Sequence, residues 1–249
     1  MKSKLTVRIG SLFFAVIWIS FFSLIFDDSN KLAVIFFDIG SPLGVYPFTI
    51  QNIMWLMFFL CLGELFYRHQ VSKSDVIALK QKYLLEEQGL FYDQKAMTEV
   101  MTKVSNQNNR LATLIKSLFM RYQASKKSTE ETHQMLNSQL ELMLFRLDVD
   151  YNIIRYICWL IPTLGFIGTV IGIAWALNYA GGEGVSELPD FLSQLTLRLE
   201  VAFYTTLVAL LMSAILVYLL HIFQGREENV IQHCGEYCLN NFINRLLTV

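Results

Sequence analysis

The chain has 249 residues, of which 54% are apolar, and its 20 basic and 21 acidic residues nearly cancel to a net charge of −1. Only 16% of the residues are charged, whereas about 25% are charged in an average soluble domain. The neutral balance argues against nucleic acid as a partner, and the low charge content argues against a simple soluble globule.

The charged residues are absent from four long apolar stretches. These stretches are Ile9–Phe26, Ile39–Gly63, Tyr156–Gly182 and Val201–Gly225. Each is close to or above the roughly 20 residues that a helix needs to cross a bilayer. The rest of the chain has an ordinary soluble composition. We therefore predict an all-α membrane protein with four transmembrane helices and one sizeable aqueous part.

Basic residues flank the predicted spans unevenly. They precede the first span and follow the second, at Lys2, Lys4, Arg8, Arg68, Lys73, Lys80 and Lys82. The connections after the first and third spans are mainly acidic. The positive-inside rule therefore places both termini and segment 68–152 in the cytoplasm. The residues after Phe26 form a poor cleavage site, so we expect the first span to be retained.

The first two spans are bulky and aromatic. Their large side chains are Phe13, Phe14, Trp18, Phe21, Phe22, Phe26, Trp55, Phe58 and Phe59. Such side chains face lipid readily, and we expect no close helix contact from them. Residues 1–67 are therefore predicted to form two peripheral, lipid-facing helices with a short periplasmic connection.

Segment 68–152 has the periodicity of amphipathic helices, as in Leu111, Leu114, Ile115, Leu118 and Tyr122. Its scattered charges are predicted to form a solvated helix surface. Ser128 and Glu131 fit a capping box that starts a helix. No Pro or Gly follows before Pro162, so one helix is expected from about Thr129 to Tyr179, on the order of 75 Å long at 1.5 Å per residue. It would project from the membrane into the cytoplasm.

The third and fourth spans, within residues 153–223, carry stripes of small and hydroxyl residues. The stripes are Gly165, Gly168, Thr169, Gly172 and Ala176 on the third span, and Ala202, Thr205, Thr206, Ala209 and Ser213 on the fourth. Small faces let helix backbones approach closely in lipid. A single Thr is often structural, because it can bond the carbonyl one turn back. Two facing hydroxyl stripes are also able to line a narrow ion path. Thr163, Thr169, Thr205 and Thr206 are the residues predicted to line this path. Pro162, next to Thr163, is expected to bend the third span.

Two further helices are expected near the fourth span. Pro189 suggests a short surface helix that leads into the span, and residues 224–249 have the pattern of a C-terminal amphipathic helix. Its Cys234 and Cys238 form, with His233, a weak metal motif that lacks a fourth ligand. We interpret the two cysteines as packed, reduced thiols and expect no metal.

The inner two spans have no acidic residue near their centres. Glu200 lies at the outer mouth of the fourth span, Glu64 ends the second near the cytoplasm, and His221 is interfacial. If the chain conducts protons, the titrating group must come from another polypeptide. No catalytic constellation is present in the sequence, so we predict neither an enzyme nor a cofactor.

Two motifs carry a family resemblance. Residues 161–172, IPTLGFIGTVIG, resemble the "aPxlGLlGTVxGm" signature of the MotA/TolQ/ExbB proton-channel family. Residues 202–210, AFYTTLVAL, followed by Ser213-Ala214-Ile215, resemble the family's fourth-span pattern "ALxtTaxGLxxAI". The resemblance extends over about Glu141 to Phe223.

The resemblance implies a proton- or sodium-driven motor subunit of the bacterial inner membrane. Family members form a homopentamer around two copies of a single-span partner of the MotB/TolR/ExbD type, whose membrane aspartate carries the ion. By this correspondence Thr169 and Thr206 face the pore, and Pro162 closes it on the cytoplasmic side. Residues 153–223 would then be the pore-lining pair.

Some positions depart from the family pattern. Ala209 stands where Gly is usual, Leu216 where many members have Pro, and Glu200 is one residue from an acidic position of some members. Four spans resemble the flagellar-stator branch, whereas the hydroxyl-rich pore resembles the TolQ/ExbB branch and sodium-driven stators. The branch, the ion and the driven target remain open.

Two other functions compete with the motor. A membrane scaffold would use the small faces for oligomerisation only and would recruit partners through its cytoplasmic helices. A transporter or membrane enzyme working alone would need a buried charge or metal set in its spans, and the sequence has none. We rank this third possibility last.

Overall fold

The computed structural model describes residues 4–26, 31–39, 46–84, 94–125, 128–182 and 189–246. These residues form seven α-helices and a final 3₁₀ turn, with no β-strand among them. The helices are α1 (Lys4–Ile25), α2 (Lys31–Phe37), α3 (Ile50–Lys80), α4 (Gln94–Ser105), α5 (Arg110–Ala124), α6 (Thr129–Ala180) and α7 (Phe191–Asn241), and the 3₁₀ turn is Ile243–Arg245. The predicted all-helical fold is confirmed.

Four of the helices, α1, α3, α6 and α7, are long and apolar enough to cross a membrane. Each contains most of one charge-free stretch, in agreement with a multi-pass membrane protein. The helix of the second stretch begins only at Ile50, because Pro47 lies just upstream and Thr49 caps the helix. The Thr49 hydroxyl accepts a hydrogen bond from the Asn52 backbone N–H at 3.2 Å.

The predicted single helix after Ser128 is confirmed, since α6 runs unbroken through Pro162 to Ala180. The capping box is only half formed. The Ser128 hydroxyl accepts from the Glu131 backbone N–H at 3.4 Å. The Glu131 carboxylate instead accepts from Arg121 at 2.8 Å, because a guanidinium of α5 offers it a charged partner.

The expected separate helices around the fourth span are one helix in the structure. Pro189 and Asp190 form a turn, and α7 then continues from Phe191 through the span to Asn241. Gly225 does not interrupt it. The predicted tail helix is therefore the last part of α7, and the surface helix is its first part. Residues 183–188 lie outside the described residues.

The chain divides into two compact units, Met1–Tyr67 with Ile153–His221 (unit 1) and Arg68–Asn152 with Ile222–Val249 (unit 2). In unit 1, α1 and α3 approach more closely than expected. A Cβ added at Gly63 would lie 2.6 Å from the Ser11 Cβ, so the glycine allows the contact. The expectation that the bulky spans make no close contact is therefore wrong.

Aromatic rings fill the remaining space between the elements of this part of unit 1. Trp18 lies 5.9 Å from Trp55 and 5.6 Å from Phe59, measured between ring centroids. Phe37 of α2 stacks on Trp55 at 5.7 Å. Aromatic pairs at these separations stabilise beyond their buried area. Directly after Gly63 in α3, the Glu64 carboxylate pairs with Arg8 at 2.8 Å and with Lys4 at 2.9 Å.

Unit 2 has its own hydrophobic core. Its fully buried side chains include Leu111, Leu114, Leu118, Phe119, Leu136, Cys234, Cys238 and Phe242. Phe119 stacks on Phe242 with 4.4 Å between ring centroids. Burial raises the pKa of the Cys234 thiol to about 12, which keeps it protonated at neutral pH. The prediction of packed thiols at positions 234 and 238 is confirmed.

A buried ion cluster lies beside this core. Arg68 donates to Glu227 at 2.6 and 3.1 Å and to Asp150 at 2.6 Å, and the Tyr151 hydroxyl donates to Glu227 at 3.1 Å. Arg110 also pairs with Glu227. Arg68 and Glu227 are 4% and 0% exposed. The prediction that the charges of segment 68–152 form a solvated surface is thus wrong for Arg68.

Asp75 extends the cluster on its Arg110 side. Its carboxylate accepts from the Arg110 backbone N–H at 3.0 Å and lies 3.5 Å from the Arg110 guanidinium. Burial raises the pKa of the Asp75 carboxyl, and the contacts from Arg110 oppose that rise. Asp75 is 1% exposed, so it also departs from the predicted solvated surface.

Candidate functional site

The small stripes of α6 and α7 lie against each other within unit 1. A Cβ added at Gly168 would lie 2.6 Å from the Thr205 hydroxyl oxygen, and one at Gly172 would lie 2.7 Å from the Ala202 Cβ. Gly165 is in similar contact with Ala209. Real Cβ atoms do not approach other atoms so closely, so the glycines are required for this helix spacing.

Two threonine hydroxyls meet at this seam. Thr169 Oγ1 and Thr206 Oγ1 are hydrogen-bonded to each other across the helices. Thr169 Oγ1 also lies 3.0 Å from the Ala202 carbonyl oxygen and 3.2 Å from that of Gly165. Thr206 Oγ1 lies 3.1 Å from the Gly165 carbonyl oxygen. Both side chains are half-buried, so four oxygens converge at one partly accessible point between the helices.

The other two predicted pathway threonines differ in their relation to this pair. Thr205 is buried, and its hydroxyl lies 2.8 Å from the Ala202 carbonyl oxygen and 3.4 Å from that of Gly165, the two carbonyls that the pair also contacts. Thr163 is half-buried and donates to the Trp159 carbonyl at 3.0 Å, one turn back in its own helix. The structure therefore brings Thr169 and Thr206 together and leaves Thr163 bonded within α6.

Pro162 and Ser213 are linked through the carbonyl of Cys158. Pro162 has no N–H, so the carbonyl four residues earlier has no helical donor. That carbonyl belongs to Cys158, and the Ser213 hydroxyl of α7 donates to it at 3.1 Å. Ser213, predicted as a packing residue, thus replaces the hydrogen bond that Pro162 removes.

Glu200 takes no part in the seam. It is half-buried on α7 and forms no ion pair with the described residues. The described parts of α6 and α7 between Tyr156 and Gly182 and between Val201 and Gly225 contain no acidic side chain. The carboxylate nearest in sequence to the fourth span is therefore at its end and not beside the threonine pair.

A small cavity of about 170 Å³ borders the same seam. Its lining includes Gly168 and Thr205 of the paired helices together with Asp38, Thr49 and Gln51. Asp38 and Gln51 are only 4% and 1% exposed. The structure thus adds a buried carboxylate and a buried amide to the surroundings of the predicted site.

Outward of the seam, α6 and α7 present large apolar side chains. Phe166, Leu177 and Phe203 are 66%, 66% and 63% exposed. An apolar surface of this extent is typical of a helix that faces lipid or another subunit.

These features can now be set beside known proteins. Residues 94–236, more than half of the chain, match the MotA/TolQ/ExbB proton channel family. The chain belongs to the MotA/TolQ/ExbB proton channel family. The resemblance found in the two sequence motifs is confirmed. No curated protein and no solved structure matches the chain.

The matched region of this MotA/TolQ/ExbB member runs from α4 into the last turns of α7. It contains both motifs, the glycine seam and the two threonines that meet across it. It also contains Arg110, Asp150 and Glu227 of the ion cluster. Asp38 and Gln51 lie outside the match, so they belong to the part of the chain that the family match does not describe.

Sequence reasoning missed Asp38 and Gln51 for identifiable reasons. Asp38 belongs to the mainly acidic connection after the first predicted span, and Gln51 lies inside a charge-free stretch. A usable signal was present, because an amide inside a predicted membrane span needs a polar partner. The surroundings of that amide depend on how α3, α6 and α7 pack around the cavity.

Proposed function

We propose that this protein is the ion-conducting subunit of a motor driven by the proton or sodium motive force. Five copies would surround a dimer of a single-span partner that carries a membrane aspartate, as the MotB/TolR/ExbD type does. Ion flow would then produce rotation or force on an envelope or cytoplasmic target. Membership of a proton channel family supports this proposal.

The observation that carries the proposal is the hydroxyl pair of Thr169 and Thr206. Hydroxyl and carbonyl oxygens can replace part of the hydration of an ion in a narrow path. The pair lies between the apolar spans of α6 and α7, whose described residues include no acid. A carboxylate from a partner helix would supply the missing titratable or ion-binding group.

The Pro162 region is proposed as the cytoplasmic limit of the path. The Cys158 carbonyl there is held by a side chain of α7 and not by the α6 backbone. Such a side-chain bond breaks more readily than a helical one when the two helices shift. We propose that this junction lets α6 bend as ions pass.

The proposed orientation places both termini and residues 68–152 in the cytoplasm of a bacterial cell, with the spans in the inner membrane. The basic residues that flank α1 and the end of the α3 span support this orientation. Unit 2, with its own core, would be the part that contacts a rotor or another cytoplasmic effector.

The alternative is a non-conducting oligomeric scaffold. The glycine seam is compatible with it, because tight packing serves assembly as well as conduction. The two functions differ in what they require of the threonines. A scaffold needs small residues at positions 169 and 206 but not hydroxyl groups.

The test is ion flux through the reconstituted complex of this chain with its single-span partner. Thr169→Ala and Thr206→Ala should each lower the flux at least tenfold, while the complex still assembles. Thr196→Ala is the matched control, because Thr196 is exposed and its hydroxyl donates to the Leu192 carbonyl of its own helix. Unaltered flux in both pathway variants would rule out the pore assignment and favour the scaffold.

A further inference from the structure

The cavity beside the glycine seam has the properties of a ligand site. Its volume is about 170 Å³, several times the roughly 30 Å³ that one water occupies in the liquid. The lining combines oxygen-bearing side chains with apolar ones, and it draws on four separate segments of unit 1. The lining residues are Asp38, Phe48, Thr49, Ile50, Gln51, Gly168, Ile171, Val201 and Thr205.

The buried amide of Gln51 indicates that the cavity binds a ligand. Its side chain is 1% exposed, and neither its Nε2 nor its Oε1 has a hydrogen-bond partner among the residues that the structure describes. An unsatisfied buried polar group costs about 1–3 kcal/mol. Native proteins avoid that cost by pairing such groups with protein atoms, water or an ion. Since Gln51 borders the cavity, its partner belongs inside it.

The charge of the lining decides the class of ligand. Asp38 is a buried carboxylate at the cavity wall, so an anion would be repelled. Only one acidic residue is present among the described lining residues, so a divalent cation would leave an uncompensated positive charge in a largely apolar wall. A monovalent cation matches the single negative charge that this carboxylate brings to the lining. The Gln51 amide oxygen and the hydroxyls of Thr49 and Thr205 are hard oxygen ligands, which suit alkali cations.

We propose that this cavity binds a partly hydrated monovalent metal cation, Na⁺ or K⁺, with Asp38 supplying the charge and Gln51 an amide ligand. Gly168 and Thr205 of the wall are the chain neighbours of Thr169 and Thr206. The cation would therefore be bound by residues adjacent in sequence to the hydroxyl pair. From this position the cation could enter the ion path at Thr169 and Thr206. That role rests on the proposed function, whereas the binding of the cation does not.

Binding is measured on the full chain, purified in lipid nanodiscs without any partner. A cation that binds the folded state raises its stability, and all four cysteines are buried, so a thiol-reactive dye reports unfolding. We expect the midpoint temperature to rise with NaCl or KCl relative to choline chloride at equal ionic strength. The separate NaCl and KCl series identify which cation is bound.

The variants are Asp38→Asn and Gln51→Leu, and each should weaken the apparent cation affinity at least tenfold. Asp190→Asn is the control, because it removes a carboxylate that is exposed, and it should retain the response. The proposal is overturned if the wild type shows no rise specific to Na⁺ or K⁺, or if both variants respond as it does. In that case Gln51→Leu should also be more stable than the wild type in every salt.

Failure of this site and failure of the proposed function give different results. The binding measurement contains no partner and no ion gradient, so a negative result leaves the flux experiment on Thr169 and Thr206 unaffected. Conversely, a complex that conducts no ions would leave a measured, Asp38-dependent cation affinity in place as a property of this chain alone.

Discussion

Pro162 and Ser213 meet at one carbonyl group, that of Cys158. Proline removes the backbone donor from this carbonyl, and serine provides a side-chain donor from the neighbouring helix. The two residues therefore form a functional pair although they are 51 positions apart in the sequence. Sequence reasoning identified Pro162 as a bend and Ser213 as a packing residue. It did not link them, because the register of α7 against α6 is a tertiary property.

This pairing makes a prediction about stability. Ser213→Ala should destabilise the chain by about 0.5–2 kcal/mol, because the Cys158 carbonyl then has no donor in an apolar environment. The same change in a Pro162→Ala background should cost much less, since alanine restores the backbone N–H. The measurement is a double-mutant cycle of unfolding free energies in detergent micelles.

Ser193→Ala is the control for this cycle, because Ser193 is exposed near the start of α7 and its loss should change stability little. Equal costs for Ser213→Ala in the two backgrounds would mean that the serine does not act through the carbonyl that Pro162 leaves open.

At the scale of the elements, the α6–α7 seam depends on glycines at fixed positions. The sequence predicted these stripes correctly as small faces, because a helix places residues at intervals of three and four on one side. It also predicted the length of α6, since no helix-breaking signal interrupts residues 129–161. Two features were not predictable: the pairing of the Glu131 carboxylate with Arg121, which replaces the second hydrogen bond of the capping box, and the close approach of α1 to α3. Both depend on which side chains the fold brings near each other.

The surroundings of two glycines predict opposite effects of a Gly→Ala change on stability. At Gly172 the added Cβ would lie 2.7 Å from the Ala202 Cβ and 2.9 Å from its Cα. Backbone cannot rotate away, so we expect a destabilisation of about 1–3 kcal/mol. At Gly225 no atom lies within 4 Å of the added Cβ. Here alanine should stabilise the helix by about 0.4–1 kcal/mol, because it restricts the unfolded chain.

Midpoint temperatures of the two variants, measured side by side with the wild type, check this prediction. Gly225→Ala serves as the matched control, since it makes the same chemical change in α7, at a position where the added Cβ meets no atom within 4 Å. If Gly172→Ala unfolds at or above the wild-type midpoint, α6 and α7 are farther apart at Gly172 and Ala202 than the structure indicates, and the prediction is wrong.

At the scale of the whole molecule, charge is distributed differently from what the composition suggests. The predicted division into charge-free spans and a charged remainder is correct for the spans. In the remainder, however, several charges are buried. Arg68 and Glu227 are 159 positions apart and belong to α3 and α7, yet they form a bidentate pair in the interior of unit 2. Periodicity does not reveal such a pair, because each residue alone looks like part of a solvated helix face.

The cluster around Glu227 makes the last prediction. Glu227 accepts from Arg68 and Tyr151 and pairs with Arg110, so it joins residues of α3, α5 and α6 to α7. Glu227→Gln keeps the shape of the side chain but removes its charge, which leaves two buried or half-buried guanidinium groups short of a counter-ion. Breaking a buried ion pair in this way costs about 3–5 kcal/mol. We therefore expect unit 2 to become sensitive to limited proteolysis at temperatures where the wild type resists it.

Glu228→Gln is the matched control. Glu228 is half-buried and accepts a hydrogen bond from Gln224 of its own helix, so this variant should keep the wild-type resistance. If the two variants resist proteolysis equally, the cluster is not needed to hold α7 to the other helices of unit 2.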